Sequence, residues 1–222
     1  MAIEPTDREA SQPPEFGPAF REQLLDLLTW RRDVRHFKRD KLPDEAVERL
    51  IGIASLAPSV GLSEPWRFVL VDDPERRAAV RSCFEACNAE ALAAQDPSRA
   101  DQYARLKLAG LHDAPCQIAV FADRGTDQGH GLGRLTMPET IEYSVAIAIY
   151  TLWLAARAEG FGIGWVSILD PDTVHAILEV PEDWHLVGYL CLGYPQNAEE
   201  TPLLQRQGWE SRRDTENVIF RR

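Results

Sequence analysis

The sequence predicts an α+β fold, and three observations carry that prediction. Helical and strand patterns come in separate blocks, without the regular βαβ alternation of a doubly wound parallel sheet. One run, Pro138 to Glu159, is apolar around nearly its whole circumference, as a central helix would be. The 222 residues, 45% of them hydrophobic, are enough for a sizeable core in one domain, or in one domain with an embellishment.

From the start of the chain, Met1 to Pro18 is rich in Pro, Glu and Ser and has no periodicity. It predicts an N-terminal arm over residues 1–18, loose or wrapped on a partner, with the folded domain occupying 19–222. Phe20, Leu24, Leu25, Leu27 and Leu28 then form the buried stripe of a helix ending near Trp30. Pro43-Asp44-Glu45 opens a second helix with acids in its first turn, and Val47, Leu50, Ile51, Ile53 and Ala54 make its apolar face. Ala57-Pro58-Ser59-Val60-Gly61 closes it with a turn whose Pro and Gly let backbone approach a ligand. Trp66 to Val71 is aromatic and β-branched, as a strand should be.

Pro74 to about Leu111 reads as two alanine-rich, charged helices broken at Asp96-Pro97-Ser98, with Ser98 as the second cap. Having few large apolar residues, the pair suits a lid, at approximately 74–112. Cys116 to Ala122 is the next strand. Gly125 to Gly133 does not match the dinucleotide fingerprint and reads as a flexible connection. The central helix follows, and a helix buried all round in so modest a chain invites a partner subunit. Gly160, Gly162 and Gly164 break it and lead into a strand at Trp165 to Leu169. A helix from Asp170 to Leu178 and a strand from Leu186 to Leu192 complete the pattern, before a polar extension over approximately 196–222.

The formal net charge of -11 argues against nucleic acid and anionic membranes as partners, so a small ligand is expected. Cys83, Cys87, Cys116 and Cys191 include no CxxC pair, and His36, His112, His130, His175 and His185 lack mutual metal spacing; no metal is expected. No charged segment followed by an apolar run opens the chain, and no stretch approaches membrane-spanning length, so a soluble, cytoplasmic protein is expected.

Chemistry concentrates at Arg31-Arg32-Asp33-Val34-Arg35. Three guanidinium forks within five residues match phosphate oxygens, as the tail of a phosphorylated cofactor would require. Asp33 partly cancels that positive field, which leaves it either a structural ion pair or a chemical role.

These residues and three further motifs carry a resemblance. Arg-Arg-x-x-Arg from Arg31, Ala57-Pro58-Ser59 running to Pro65-Trp66, the long helix into Gly162-x-Gly164-Trp165, and Leu190-x-Leu192-Gly193-Tyr194-Pro195 together resemble the FMN-dependent nitroreductase superfamily from about Gln23 onward. The aspartate, Leu106-Lys107-Leu108, Leu152 to Gly160 and Gly164-Trp165-Val166-Ser167 are similar to its 5,6-dimethylbenzimidazole synthase branch. Ordinary nitroreductases usually carry serine at Asp33 and an asparagine where this chain has Leu62 or Ser63. Glu64 replaces a usual glutamine, an unfavourable neighbour for a reduced, anionic flavin unless protonated or turned away.

The resemblance implies a nitroreductase-like fold: a central, mostly antiparallel sheet flanked by helices, with a helical lid insertion, in a domain-swapped homodimer whose C-terminal extension wraps the partner. It implies FMN binding by Arg31, Arg32, Asp33, Val34, Arg35, Ser59, Gly61, Leu108, Ser167, Leu192, Gly193 and Arg212, with Asp33 and Ser167 catalytic. On this reading reduced FMN is itself the substrate and molecular oxygen the co-substrate. The flavin is fragmented to 5,6-dimethylbenzimidazole, the lower ligand of vitamin B12, and erythrose 4-phosphate, and a separate flavin reductase could supply it. The three arginines are expected to keep Asp33 ionised as a base. Two rival readings stand beside it: an NAD(P)H-dependent nitroreductase or flavin reductase, and a non-catalytic FMN-binding protein.

Overall fold

A computed structural model describes residues 13–106 and 110–222. Most of the expected N-terminal arm, with Lys107 and Leu108, therefore lies outside the described residues.

Four strands form one antiparallel sheet in the order β1-β2-β4-β3, with β1 at Trp66–Leu70, β2 at Cys116–Asp123, β3 at Gly162–Val166 and β4 at Trp184–Gly193. Alternation along β2 and β4 sends successive side chains to opposite faces, and both faces are buried. Ile118, Val120, Leu190 and Leu192 pack with α2 (Ala46–Ala54) and α6 (Thr140–Ala158). Ala119, Phe121, Tyr189 and Cys191 pack on the other face with Val80 of α3 (Pro74–Ala93) and Val174 and Leu178 of α7 (Pro171–Leu178). Helix α1 (Pro18–Trp30) lies against α6, and α4 (Pro97–Arg105), α5 (Gly110–Asp113) and α8 (Leu203–Arg206) are short.

Several expectations need correction. The third strand begins at Gly162, three residues before the expected Trp165, and ends at Val166, because its glycines lie inside the ladder rather than ahead of it. Asp96, not Ser98, caps α4: its carboxylate accepts from the Ser98 backbone N–H at 2.8 Å and the Ser98 hydroxyl at 2.6 Å. The first half of α3 is anchored in the core through Val80, so it is not all lid.

Two apolar faces are open. Helix α1 has no buried residue, and its Leu24 and Leu25 face outward. Helix α6 buries Ile141, Val145, Ala148, Ile149, Leu152 and Ala156, but Tyr143, Ile147 and Tyr150 are 53%, 43% and 40% exposed. The expectation of burial all round thus fails within one chain, by one stripe at helical spacing.

The Gly125–Gly133 segment is not a loose connection. A Cβ on Gly61 would stand 2.9 Å from the Leu132 carbonyl oxygen, and one on Gly129 only 2.5 Å from that of Gly61. Both glycines have positive φ, 58° and 79°, so the two backbones interlock as only glycine permits. The Gln128 amide also donates to the Leu62 carbonyl at 2.9 Å.

Candidate active site

The site starts from a close approach. Residues 33–35 run beside β3, joined by a parallel bridge between Asp33 and Ile163 and by the Val34 N–H donating to the Ile163 carbonyl at 3.0 Å. A Cβ on Gly162 would meet Val34 Cγ2 at 2.6 Å, and one on Gly164 would collide with the Val34 carbonyl oxygen. Gly-x-Gly-Trp is therefore the sequence that lets the arginine-rich segment lie on the sheet edge.

That register fixes Asp33. The Trp165 backbone N–H donates to Asp33 Oδ1 at 3.0 Å, and Arg35 Nε reaches Oδ2 at 3.4 Å, a long contact. Burial pushes the Asp33 carboxyl above the ordinary carboxylate range, opposed first by the Trp165 N–H and then by Arg35 and Arg31. Desolvation therefore outweighs the two arginines that act to lower it. Its side chain is still 38% exposed, on the cleft side.

The arginines divide their work. Arg32 is spent on backbone, donating to the Glu200 carbonyl through Nε at 2.6 Å, again through Nη2, and to the Arg31 carbonyl at 2.7 Å. Arg35 donates to the Leu106 carbonyl at 3.2 Å, tying the segment to the end of α4. The Arg31 guanidinium lies 5.0 Å from the Trp153 ring centroid and 5.7 Å from that of Tyr150, and its buried Nε has no hydrogen-bond partner among the described residues. With Arg32, Asp33, Arg35, Pro202 to Leu204 and Arg212 it lines a cavity of about 240 Å³. An orphaned donor in a cavity ringed by four arginines fits a phosphate monoester. Arg212, not Arg213, lines it.

A second cavity of about 600 Å³ opens from the other side of Asp33. Ser167, one residue past β3, lines it with Trp165, His112 and His36, and Asn88 and Leu92 of α3, Tyr103 of α4 and Trp209 form its outer wall. The structure thus brings together Arg31, Arg32, Asp33, Val34, Arg35, Ser167 and Arg212.

Other expected residues lie elsewhere. Ser59 accepts from the Glu64 N–H at 3.1 Å, and Gly61 meets the glycine loop. Next to them the Val60 N–H donates to Ser144 near the start of α6, whereas the Trp153 indole N–H donates to the Arg32 carbonyl near its end. Those two points are about 13 Å apart at roughly 1.5 Å per helical residue. Leu192 is fully buried in the core, and Gly193 faces Pro115 and Phe37, so neither lines the described cavities. Sequence reading missed Glu200, Tyr103 and Trp209. Arg32's use of a distant carbonyl leaves no signal in sequence; the aromatics were legible only as unassigned large residues in a polar stretch.

Burial raises the Cys116 thiol to about 11 and pushes Cys191 higher still, so both stay protonated and inert at neutral pH. Among the described residues no group of three His, Cys, Asp or Glu side chains could hold a metal ion, and no helix is long and apolar enough to cross a membrane.

The family model described as the nitroreductase family matches residues 28–194, from α1 through β4. The chain belongs to the nitroreductase family. Within that family it is 59% identical over 200 residues to a 5,6-dimethylbenzimidazole synthase of Rhodospirillum rubrum, covering 90% of this chain and 95% of the relative. A 5,6-dimethylbenzimidazole synthase of Rhodobacter capsulatus is 48% identical over 201 residues, covering 90% and 97%. Among solved structures, an oxidised iodotyrosine deiodinase bound to FMN and 3-iodo-L-tyrosine shares the nitroreductase fold at a TM-score of 0.68 and 25% identity, covering 79% of this chain and 91% of that one.

Proposed function

We propose that this chain is a 5,6-dimethylbenzimidazole synthase that consumes reduced FMN and molecular oxygen, releasing 5,6-dimethylbenzimidazole and erythrose 4-phosphate. The observation that carries the reading is the similarity to two such synthases, 59% and 48% identical over 90% of this chain. Reduced FMN brings the electrons and the carbon skeleton, and oxygen accepts the electrons.

The residues of this chain supply the surroundings. Arg31 and Arg212 hold the sugar phosphate, supported by the unpartnered Arg31 Nε and the arginine-lined cavity. Asp33 takes a proton at the ribityl C1′ carbon. Its raised pKa makes it a stronger base than an exposed aspartate while it remains fixed by the Trp165 N–H. Ser167 donates a hydrogen bond to the reacting ring from the cleft wall. The α3–α4 wall limits water, which would otherwise compete for the protons being moved.

The functional unit we propose is a homodimer. The open stripe Tyr143-Ile147-Tyr150, the exposed face of α1 and the exposed Val218, Ile219 and Phe220 of the extension are the surfaces a second copy would cover. Ser59 and Gly61 would then meet the partner's flavin, which accounts for their distance from Asp33 in one chain.

The test mixes purified protein with chemically reduced FMN in air and separates the products by chromatography. Dimethylbenzimidazole is expected. Its absence, with FMN recovered intact, would sink the proposal, and rapid NAD(P)H oxidation with a nitroaromatic would favour a reductase instead.

A further inference from the structure

Helix α4 has little to hold it in place. It spans nine residues, and among those whose side chains are described none is buried; its apolar surface amounts to Ala100, Tyr103 and Ala104. An isolated helix of that length is marginal in water, so its position must come from a docking surface. Besides the Arg35 guanidinium on the Leu106 carbonyl at its C-terminal end, α4 is attached on two sides. On the α3 side, the Tyr103 hydroxyl donates to Asn88 Oδ1 at 3.0 Å. On the other side stands Trp209, which follows a left-handed turn at Gly208 with φ of 69°.

Trp209 engages one face of α4 at several points. Its ring centroid is 6.3 Å from that of Tyr103 at an interplanar angle of 58°, and the Arg99 guanidinium lies 5.3 Å from its ring. The neighbouring Gln207 carbonyl accepts from the Gln102 side-chain amide at 2.9 Å. The indole-bearing turn is itself braced, since the Trp209 N–H donates to the Leu204 carbonyl at 2.8 Å. At its other end this segment is fastened by Arg32, whose guanidinium grips the Glu200 carbonyl. Leu203 and Leu204 line the arginine cavity, whereas Leu204 and Trp209 line the cleft shared with Asp33 and Ser167. One continuous stretch, 200–209, therefore runs from the arginine cluster to the outer wall of the cleft.

We infer that Trp209 is a positioning residue that holds α4 closed over the cleft, and that Arg32 acts through the same stretch rather than as a phosphate ligand. The inference rests on the synthase reading for its chemical consequence, but not for its structural one. With the wall loosened, reduced flavin passes two electrons and two protons to oxygen, giving oxidised FMN and hydrogen peroxide instead of fragmentation.

Hydrogen exchange on the full-length protein without flavin tests the structural part directly. In Trp209→Ala, amides of 97–105 should exchange about ten-fold faster, with β4 unchanged, and Trp209→Phe should recover most of the protection. Arg99→Ala combined with Gln102→Ala, which leaves Trp209 in place, should loosen the same amides and carries the test should the Trp209→Ala protein fail to fold. In one turnover with reduced FMN and air, Trp209→Ala should shift product from dimethylbenzimidazole toward peroxide and intact FMN. Unchanged exchange of 97–105 in both variants would overturn the inference. Faster exchange in a protein whose wild type makes no dimethylbenzimidazole would uphold the positioning role while removing the synthase reading.

Discussion

Asp33 is the residue on which the proposed chemistry turns. Its Oδ1 is fixed by a main-chain donor and its other oxygen only weakly by Arg35, so one edge of the carboxylate remains available toward the cleft. Asp33→Asn keeps the shape and can still accept from Trp165, but it cannot take a proton. The variant should bind FMN within a few-fold of wild type by fluorescence titration and lose dimethylbenzimidazole by about 100-fold or more, the scale of a general base. Equal product would remove Asp33 from the mechanism. A pH dependence follows from the raised pKa. Between the ordinary aspartate value and the raised one, the folded protein holds a proton that the unfolded chain has lost, so stability falls as pH rises through that window. Asp33→Asn should abolish this loss in melting curves taken across the window, and wild-type product formation should drop as pH falls below the raised value. The sequence disclosed the aspartate and its oddity. It did not disclose which way its pKa moves, because its burial depends on β3 and other segments far away in the chain.

At the scale of elements, the β3 edge and its glycines decide whether the arginine segment can sit where it does. Gly164→Ala would drive a methyl group into the Val34 carbonyl. Displacing residues 33–35 should cost about 1–3 kcal/mol, measured as a lower midpoint in urea, and should weaken FMN binding along with stability. A variant that binds FMN as tightly as wild type would show that the close approach is not what aligns the clamp. The motif Gly-x-Gly-Trp was legible as a break after a helix, yet its role was not. A sequence shows that glycines occur together, but not which backbone they admit. The same gap explains the glycine loop, whose interlock with Gly61 involves a segment about seventy residues away. The helices fared better because each carries its own apolar periodicity, although the stripe of α1 expected to be buried and part of α6 stay open and the cap of α4 moved to Asp96.

Across the whole molecule, the sheet is buried on both faces within one chain, while an apolar stripe of α6 and the face of α1 stay open. Ser59 and Gly61 lie at the far end of α6 from Asp33, and on the homodimer proposed above a single chain would carry two halves of a site rather than one whole site. Ile147→Glu with Tyr150→Glu should leave the fold intact by circular dichroism, shift sedimentation from dimer to monomer, and lower FMN affinity at least about ten-fold, a few tenths of a typical subunit interface energy being enough. A monomer that binds FMN normally would contradict the shared site. The nearly all-round apolarity of α6 pointed to a partner from sequence alone, because one chain of this size lacks the elements to cover every face.

The central claim is that the bound flavin is consumed, and a single-turnover balance tests it most directly. Enzyme in excess over reduced FMN is exposed to air, and the flavin lost is compared with the dimethylbenzimidazole gained in the same sample. The account predicts that the two amounts match, with erythrose 4-phosphate in equal quantity. Full recovery of the flavin as oxidised FMN, with no dimethylbenzimidazole, would contradict it.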